Sequence, residues 1–439
     1  IPIPLPPLDL EPERWQRLAN AGGSGQTCFA PHPTDAQVLY LSSANGGLFK
    51  TENAGDTWFS VSSNLGAYRL GYVALDPLDP DVVYVTASTA YGYTTEGGSK
   101  GELYRSWNGG RSWAFLTDQM GFQNLHNAAL AIPYDPGQPD RFDRDRDGLS
   151  DTILVGAWTG PADPPVGGIW RSEDEGQTFE ALGLQEHNIS ALRALPGDAA
   201  RLWATTYEGR LYRSLDLGET WTDVTGNLDL THLSDVAIHP DDPDTLYVTC
   251  LSCPPGRPPV WKTVDGGQSW QAASQGLPAR QRTEGQTGVS RILIDRFDPD
   301  KLYLSAMAYP DSIYASSNAG RRWHPMPSTL VLPDGRPFYW YRMPNSLTIE
   351  QAVDGRLYAD AGGAWRYPDT RFLQEPRLLA QPRWEPATLG VGNVYVNALA
   401  VDPTNPDVLY QGIADFGPYK STDRGASFHR ILGSGWPVT

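Results

Sequence analysis

Residues Thr263–Trp270 read TVDGGQSW, and the same eight-residue phrase returns six more times along the chain. The shared pattern is a small hydroxyl residue, any residue, Asp or Asn, any residue, Gly, two further residues and an aromatic ring. The other copies are Thr51–Trp58, Ser106–Trp113, Ser172–Phe179, Ser214–Trp221, Ser316–Trp323 and Ser421–Phe428. A phrase that recurs in this way, each time after a short apolar strand, predicts a repeat architecture.

Each copy has the chemistry of a β-hairpin turn. The Asp or Asn, Asp265 in the first quoted copy, is expected to accept hydrogen bonds from backbone N–H groups two or three residues on. The Gly, here Gly267, permits a positive φ. The closing aromatic, here Trp270, is expected to pack against the next sheet. These Asp and Asn residues are therefore interpreted as structural and not catalytic.

The sequence between copies is also regular. An alternating apolar strand leads into an Asp- and Pro-rich turn and a second strand, as in HPDDPDTLY (His239–Tyr247). A third strand, the eight-residue turn and a fourth strand follow. Four short antiparallel strands in each repeat of about 40–55 residues predict an all-β fold, a single β-propeller of four-stranded antiparallel blades.

The number of blades depends on the long gap before the last copy. Four strand-like pieces fill that gap without the turn phrase: Ser346–Gln351, Gly355–Asp360, Ala364–Tyr367 and Arg383–Pro386. Counting them as a degenerate unit predicts eight blades. Seven blades is the alternative, with Trp15–Leu18 as a closing strand.

Composition limits the domain organisation and the partners. Residues 1–14 form a Pro-rich tail and residues 15–439 the propeller, with the tail typical of a mature N-terminus behind a removed export signal. The net charge of −17 argues against nucleic acid as a partner. No apolar run reaches the roughly 18 residues that a membrane span requires. An extracellular or cell-surface protein is expected.

Three cysteines are present. Cys28 lies on the first predicted inner strand and is expected to be a buried free thiol. Cys250 and Cys253 (CLSC) are equally consistent with a disulfide, as in exported proteins, and with free thiols.

An acidic loop is inserted at residues 135–151. Asp143–Asp151 reads DRDRDGLSD, and its carboxylates at relative positions 1, 3, 5 and 9, with Gly148 at position 6, match oxygen-rich loops that wrap Ca²⁺. The predicted ligands are the side chains of Asp143, Asp145, Asp147 and Asp151 and the carbonyl of Leu149. The loop resembles the calcium loops of integrin α-subunit propellers, and a structural Ca²⁺ is expected. A solvated acidic turn balanced by neighbouring arginines is the alternative.

Ligand-binding residues are expected where the second-to-third-strand turns and the blade connections emerge, at one end of a propeller. Aromatic rings in these segments suit the faces of sugars. They are Tyr91, Tyr93, Trp158, Tyr309, Tyr339, Trp340, Tyr341 and Phe416. A glycosidase needs two carboxyl groups about 5–10 Å apart. The candidates on the same end are Asp163, Asp311, Asp415 and Glu284.

The eight-residue phrase resembles the Asp-box (BNR) repeat of sialidases, sortilin-type receptors, photosystem II assembly-factor propellers and family 74 glycoside hydrolases, the xyloglucanases. Trp15–Lys50 is similar to the opening of the last family, with a Trp strand, a Gly-rich turn and a His-Pro hairpin. The resemblance implies a shared scaffold and affinity for glycans. In those enzymes a catalytic Asp lies two positions before the Gly-Gly of the first blade, where this chain has Ala44, and the cleft lies between two propellers.

The sequence therefore favours a secreted or cell-surface propeller that binds a polysaccharide or a surface protein. A glycoside hydrolase, xyloglucanase-like or sialidase-like, with a carboxylate pair at the channel mouth is the first alternative. A structural subunit of a larger extracellular or envelope assembly is the second.

Overall fold

A computed structural model describes residues 16–17, 27–43, 47–62, 65, 69–88, 101–117, 129–157, 167–195, 197–278, 288–307, 313–326, 330–331, 337–338, 348–360, 364–367, 396–402, 405–413, 417–422 and 429–430. Within these ranges the chain forms antiparallel β-sheets, as predicted, and one short helix, which was not predicted. The Pro-rich segment 1–14 lies outside them. None of the described helices has the length and hydropathy that a membrane crossing requires.

Six blades are each built from four consecutive strands in the order of the chain. The first blade contains β2 (Thr27–Pro31), β3 (Leu39–Ser43), β4 (Gly47–Thr51) and β5 (Phe59–Ser60). The second contains β6 (Arg69–Leu75), β7 (Val83–Ser88), β8 (Gly101–Ser106) and β9 (Ala114–Thr117). The third contains β10 (Ala129–Ala131), β11 (Ile153–Ala157), β12 (Gly168–Ser172) and β13 (Glu180–Gly183).

The next three blades follow the same plan. The fourth contains β14 (Ile189–Leu195), β15 (Asp198–Thr206), β16 (Leu211–Ser214) and β17 (Thr222–Asp223). The fifth contains β18 (Leu233–Ile238), β19 (Leu246–Cys250), β20 (Val260–Thr263) and β21 (Gln271–Ala272). The sixth contains β22 (Gly288–Ile294), β23 (Leu302–Met307), β24 (Ile313–Ser316) and β25 (His324–Pro325). The expected eight blades, and the alternative of seven, are therefore wrong for blades of this regular kind.

A composite sheet lies between the sixth and the first blade. It contains β28 (Ile349–Gln351), β29 (Leu357–Asp360) and β30 (Ala364–Tyr367), and its outer strand is β1 (Gln16–Arg17), paired antiparallel with β30. The degenerate unit was thus correct in its first three strands. Its fourth strand comes from the other end of the chain, because a ring needs its two ends to meet. This strand lies within Trp15–Leu18, so the closing strand expected for the alternative of seven blades is confirmed. The predicted fourth strand, Arg383–Pro386, lies outside the described residues.

Side chains of the composite sheet pack on both neighbours. Ile349 and Leu357 share an apolar cluster with Tyr303 and Ile313 of the sixth blade. Tyr358 packs with Phe29 of the first blade and donates a hydrogen bond to the carbonyl of Ala54 at 3.2 Å. These contacts close a single propeller.

Three smaller features complete the described chain. A two-stranded hairpin joins β26 (Leu330–Val331) and β27 (Pro337–Phe338). A further four-stranded sheet contains β31 (Val396–Asp402), β32 (Asn405–Ile413), β33 (Gly417–Ser421) and β34 (His429–Arg430). The helix α1 (Pro139–Phe142) lies in the insertion between β10 and β11.

The eight-residue turns connect the third and fourth strands. In the fifth blade, Thr263 Oγ1 donates to Asp265 Oδ1 at 2.6 Å and accepts from the N–H of Gly267 at 3.1 Å. The N–H of Ser269 donates to Asp265 Oδ1 at 2.9 Å, so the side chain reaches four residues on and not the expected two or three. The hydrogen bonds from Ser269 and Thr263 lower the pKa of Asp265 to about 2. The Gly has a positive φ in all six described copies, as predicted, and in Gly267 it is 95°.

Two of the closing tryptophans donate a hydrogen bond to the preceding blade, and not to the next blade as expected. Trp113 of the second blade donates through Nε1 to the carbonyl of Val61, which follows the first blade, at 2.6 Å. Trp323 of the sixth blade donates in the same way to the carbonyl of Ala273 at 2.6 Å. One indole therefore contributes apolar burial and a hydrogen bond to an interface between blades.

Charged side chains join the inner strands of four successive sheets. Asp235 of β18 is buried between two guanidinium groups, with Oδ1 at 2.7 Å from Arg193 Nη2 and Oδ2 at 3.7 Å from Arg291 Nε. Arg291 Nη2 also lies 2.6 Å from Glu350 Oε1 on β28. The carboxylates of Asp235 and Glu350 raise the pKa of Arg291 against the opposing effect of burial. The innermost layer of the ring is thus partly ionic.

Candidate functional site

The sequence-predicted ligand residues lie outside the described part of the chain. This applies to the aromatics Tyr91, Tyr93, Trp158, Tyr309, Tyr339, Trp340, Tyr341 and Phe416. It applies equally to the carboxylates Asp163, Asp311, Asp415 and Glu284. All of them stay predictions.

The end of the ring that carries the second-to-third-strand turns and the blade connections is here named the connection rim. Its described members are 167–168, 187–188, 206–210, 231–232 and 250–253. Backbone hydrogen bonds run along it from blade to blade: Gly168 donates to His187 at 2.8 Å, Tyr207 to Asn188 at 2.9 Å, His232 to Tyr207 at 2.7 Å and Leu251 to His232 at 3.1 Å. These bonds make the rim a continuous, ordered surface.

The turn at 206–210 projects from the fourth blade into this rim. The N–H of Gly209 donates to the carbonyl of Thr206 at 3.1 Å, and the N–H of Thr206 donates to the carbonyl of Arg210 at 2.9 Å. Gly209 has a φ of 86°, and a Cβ there would lie 1.9 Å from the carbonyl oxygen of Leu230. Only glycine fits this approach of two backbones. The turn therefore holds Tyr207 and Glu208 at a fixed position.

Tyr207 is an exposed aromatic on a rigid support. Its side chain keeps 42% of its surface accessible, while its ring lies 4.3 Å from that of His232, centroid to centroid, at an interplanar angle of 41°. His232 is buried, and this burial lowers its pKa to about 4. A neutral imidazole thus lies against the tyrosine ring at neutral pH.

Glu208 is held by the connection between the third and fourth blades. Its Oε1 accepts from Asn188 Nδ2 at 2.9 Å, and its Oε2 lies 3.5 Å from Nδ1 of His187. His187 Nε2 lies 2.8 Å from the hydroxyl of Tyr212, whose pKa is raised by burial. The imidazole and the phenol are therefore within hydrogen-bond distance, whereas the buried Nδ1 of His187 lies near the carboxylate without a hydrogen bond to it.

The acidic loop brings its predicted ligands together. Oxygen atoms of Asp143, Asp145 and Asp147 lie within 4.8 Å of one another, and so do those of Asp145, Asp151 and Glu175. The fifth carboxylate, Glu175, comes from the eight-residue turn of the same blade and was not predicted. In the described part of the chain, the buried Oδ1 of Asp143 has no hydrogen-bond partner.

The loop geometry follows from a few residues. Gly148 has a φ of 89°, as the predicted sharp bend requires, and the N–H of Leu149 donates to Asp147 Oδ1 at 2.9 Å. The N–H of Ser150 donates to the buried Asp76 of the second blade at 2.9 Å. The loop is therefore fixed to two blades.

The charges around this loop are only partly balanced. Arg144 Nη2 lies 3.0 Å from Glu173 Oε1, and Arg146 Nη2 lies 3.1 Å from Asp140 Oδ1. Burial raises the pKa of Asp151, and the carboxylates of Asp145 and Asp143 raise it further. The pKa of Glu175 is also raised by burial, although Arg105 opposes this. Such a set of oxygens is the kind that binds a hard divalent cation.

The cysteines follow the sequence analysis. Cys28 is a buried free thiol, and burial raises its pKa. Cys250 and Cys253 form a disulfide at the connection rim, with their Cα atoms 5.4 Å apart.

Sequence reasoning missed Tyr207, Glu208 and Glu175. The first two fall in TTYEGRLY, the same position in the fourth blade that SSANGGLF occupies in the first. An alignment of the blades would have identified this turn. Glu175 carries no such signal, because only the fold brings it to the acidic loop.

Comparison with known proteins finds a sortilin family model and several xyloglucanases that are similar to this chain. The family model "Sortilin, neurotensin receptor 3" (Sortilin-Vps10) matches residues 167–278. A xyloglucanase of Hypocrea jecorina is 24% identical over 388 residues, which are 76% of this chain and 42% of that protein. Xyloglucanase Xgh74A of Acetivibrio thermocellus is 23% identical over 364 residues, 71% of this chain and 39% of that protein. The chain thus spans about two fifths of the length of these relatives.

Solved structures give the same result for the fold. An ancestral GH74 enzyme matches with a TM-score of 0.63 and 19% identity, over 94% of this chain and 55% of that one. The GH74 enzyme of Niastella koreensis matches with a TM-score of 0.60 and 16% identity, over 95% of this chain and 67% of that one. The protein is a β-propeller that resembles the propellers of GH74 xyloglucanases.

Proposed function

We propose that this propeller is part of a glycoside hydrolase of the xyloglucanase kind. The observation that supports this most is the similarity to curated xyloglucanases over about three quarters of the chain. The substrate class is a β-glucan polysaccharide such as xyloglucan. Because such a polymer lies outside cells, the protein is exported, and a disulfide at Cys250 and Cys253 is compatible with an oxidising compartment.

Hydrolysis would use two carboxyl groups at the connection rim, one as general acid and one as nucleophile or base. The candidates are Asp163, Asp311, Asp415 and Glu284. In the sequence, the three aspartates lie between the second and third strands of a sheet, and Glu284 lies between the fifth and sixth blades. Ala44 occupies the first-blade position of the family's catalytic Asp, so the acid and base come from other turns of this chain.

The second candidate is a binding or scaffold module for the same polysaccharide or for a surface protein. Ala44 favours it, because a propeller of this kind without that carboxylate retains its surface for sugar and loses one reacting group. A subunit of a larger extracellular assembly is the corresponding role if the ligand is a protein.

The two functions are separated by incubating the purified chain with xyloglucan. Release of reducing ends, together with binding in affinity electrophoresis, supports the hydrolase. If reducing ends are released, four variants with a neutral side chain show which carboxyl groups the reaction needs: Asp163→Asn, Asp311→Asn, Asp415→Asn and Glu284→Gln. Binding without release after prolonged incubation supports the binding module. Neither binding nor release contradicts both.

We further propose a structural Ca²⁺ in the acidic loop. Its ligands are Asp143, Asp145, Asp147 and Asp151, the carbonyl of Leu149, and Glu175. The clustered oxygens, the unpartnered oxygen of Asp143 and the pairing of Arg146 with Asp140 outside the cluster support it. Two of the ligands also have cationic neighbours, Arg144 at Asp151 and Arg105 at Glu175. The cation would join the loop to the eight-residue turn of the third blade.

This proposal is tested by calorimetry with Ca²⁺ after chelation. We expect a binding signal and a higher melting temperature, both abolished by Asp145→Ala. Asp140→Ala is the matched control, because Asp140 is an exposed carboxylate of the same insertion outside the cluster. A wild-type protein that gives no heat and no change in melting temperature would contradict the site.

A further inference from the structure

We propose that Tyr207, with His232 behind it and Glu208 beside it, forms a subsite for a neutral sugar ring at the connection rim of the fourth blade. This inference rests on the proposed function, because it supplies a glycan contact within the described part of the chain. It adds a defined position and a defined chemistry to a surface whose sequence-predicted aromatics lie outside the described residues.

The first argument is that the side chain of Tyr207 is exposed while its backbone is held in place. Tyr207 is 42% exposed, yet its backbone is fixed on both sides, by Asn188 and by His232. The close approach of Gly209 to Leu230 fixes the tip of the turn. An aromatic ring that is held in place and open to solvent loses little conformational entropy when a ligand stacks on it.

The second argument is the set of polar groups beside the ring. The side chain of Glu208 is 35% exposed, and Asn188 orients its carboxylate by donating from its backbone N–H to both oxygens and from Nδ2 to Oε1. The side chain of Arg210 in the same turn is 54% exposed and lies 3.6 Å from Asp223. A carboxylate that accepts and a guanidinium that donates, placed next to an apolar face, match the hydroxyl-rimmed ring of a sugar.

The third argument concerns the charge of the ligand. Glu208 brings a carboxylate to this turn, and the whole chain carries a net charge of −17. Phosphorylated and uronic-acid ligands would be repelled. A neutral glucan chain carries hydroxyl groups for Glu208 and a C–H face for Tyr207 without a charge penalty.

The fourth argument comes from the repeat itself. Register places Ser42 opposite Leu48 in the first blade and Thr205 opposite Leu211 in the fourth, so the two turns correspond. The first blade has Ala44 and Asn45 where the fourth has Tyr207 and Glu208. The fourth blade thus carries the ring and the carboxylate that the first blade lacks.

The test is titration calorimetry of the whole chain with a xyloglucan oligosaccharide and with cellohexaose. Tyr207→Ala should weaken binding roughly tenfold, the loss of one stacked ring. Tyr207→Phe should keep the affinity within about threefold, because the ring remains. Glu208→Gln should weaken binding less than Tyr207→Ala, since an amide still offers an acceptor.

The matched control is Trp107→Ala. Trp107 is 46% exposed, similar to Tyr207, but belongs to the eight-residue turn at the other end of the ring, so its loss should leave affinity unchanged. Melting temperatures show whether each variant folds. If Tyr207→Ala unfolds, protection of Tyr207 from nitration by the oligosaccharide is measured on the wild type instead.

The outcomes distinguish this subsite from the proposed function. Equal affinity of the wild type and Tyr207→Ala for the oligosaccharide would contradict the subsite and leave the proposed function standing. The absence of protection of Tyr207 from nitration would have the same meaning. A wild type that binds neither oligosaccharide contradicts both. Weaker binding in Tyr207→Ala alone among the aromatic variants supports the subsite.

Discussion

His232 shows how one buried side chain makes stability depend on pH. Its pKa is lowered by burial from 6.5 to about 4, and in the described structure its Nδ1 is buried without a hydrogen-bond partner. Between these two values the unfolded chain binds a proton that the folded chain does not. Stability is therefore fully present above pH 6.5 and is lost as the pH falls through this range.

We expect His232 to contribute a loss of about 3 kcal/mol between pH 6.5 and pH 4. Urea unfolding across this range measures it. His232→Asn is the matched variant, because Asn tolerates the φ of 51° at this position and does not titrate. Its unfolding free energy should fall less steeply with decreasing pH. Equal slopes in both proteins would show that other groups carry the effect.

The closing aromatics give a second prediction at this scale. Trp323 is 1% exposed, and its indole bonds the preceding blade. Trp323→Ala should lower the free energy of unfolding by about 3–5 kcal/mol. Trp107→Ala, which removes an exposed indole stacked under Arg105, should cost about 1 kcal/mol or less. Chemical denaturation of both variants checks this, and similar losses would disprove the interblade role of Trp323.

Single residues were predicted unevenly. The positive φ of the turn glycines could be predicted, because it depends on the local chain alone. The partner of Asp265 was not, since the first-position hydroxyl takes the N–H of the glycine and leaves the carboxylate for a later one. Glu175 was beyond prediction, because its position beside Asp145 is a tertiary contact.

At the scale of the element, the turn at 206–210 depends on one glycine. Gly209→Ala should cost about 1–2 kcal/mol for its left-handed backbone and about 2 kcal/mol more for the clash with Leu230. Gly197→Ala is the control, because Gly197 has a φ of 81° and open space around its Cβ position. Thermal unfolding of both variants should separate the two contributions. A loss no larger in Gly209→Ala than in Gly197→Ala would show that the turn can move away from Leu230.

Strand order within a blade was predictable, and blade number was not. The apolar alternation and the Asp- and Pro-rich turn of His239–Tyr247 also occur in the first, second and sixth blades, so each of these copies predicts its own hairpin. Which strand completes the sheet of Ile349–Tyr367 depends on how the ring closes. Trp15–Leu18 was predicted as a closing strand, but only for a ring of seven blades. No local pattern encodes which sheet Gln16–Arg17 completes, because its partner lies more than 330 residues along the chain.

At the scale of the whole molecule, the ring has an ionic layer inside its apolar one. Arg193, Asp235 and Arg291 come from three different blades, so their contacts act between blades and not within one. The sequence could predict the ring, because each eight-residue turn repeats. It could not predict the contacts among Arg193, Asp235 and Arg291, here named the inner row. These charged residues lie on the inner strands of different blades and come together only when the ring closes.

The inner row leads to a prediction for the stability of the whole molecule. Asp235 is 1% exposed and lies between two guanidinium groups, so Asp235→Asn would leave Arg193 and Arg291 facing one another without its charge. A buried pair broken on one side costs about 3–5 kcal/mol. Asp244→Asn is the control, because Asp244 pairs with Arg213 at 3.6 Å on the exposed surface, where such pairs contribute about 1 kcal/mol or less. Equilibrium unfolding should show a much larger loss of unfolding free energy in Asp235→Asn than in Asp244→Asn, although both variants lose one carboxylate charge. Equal losses would mean that the inner row is solvated, and that the ring is held together by its apolar contacts and indoles alone.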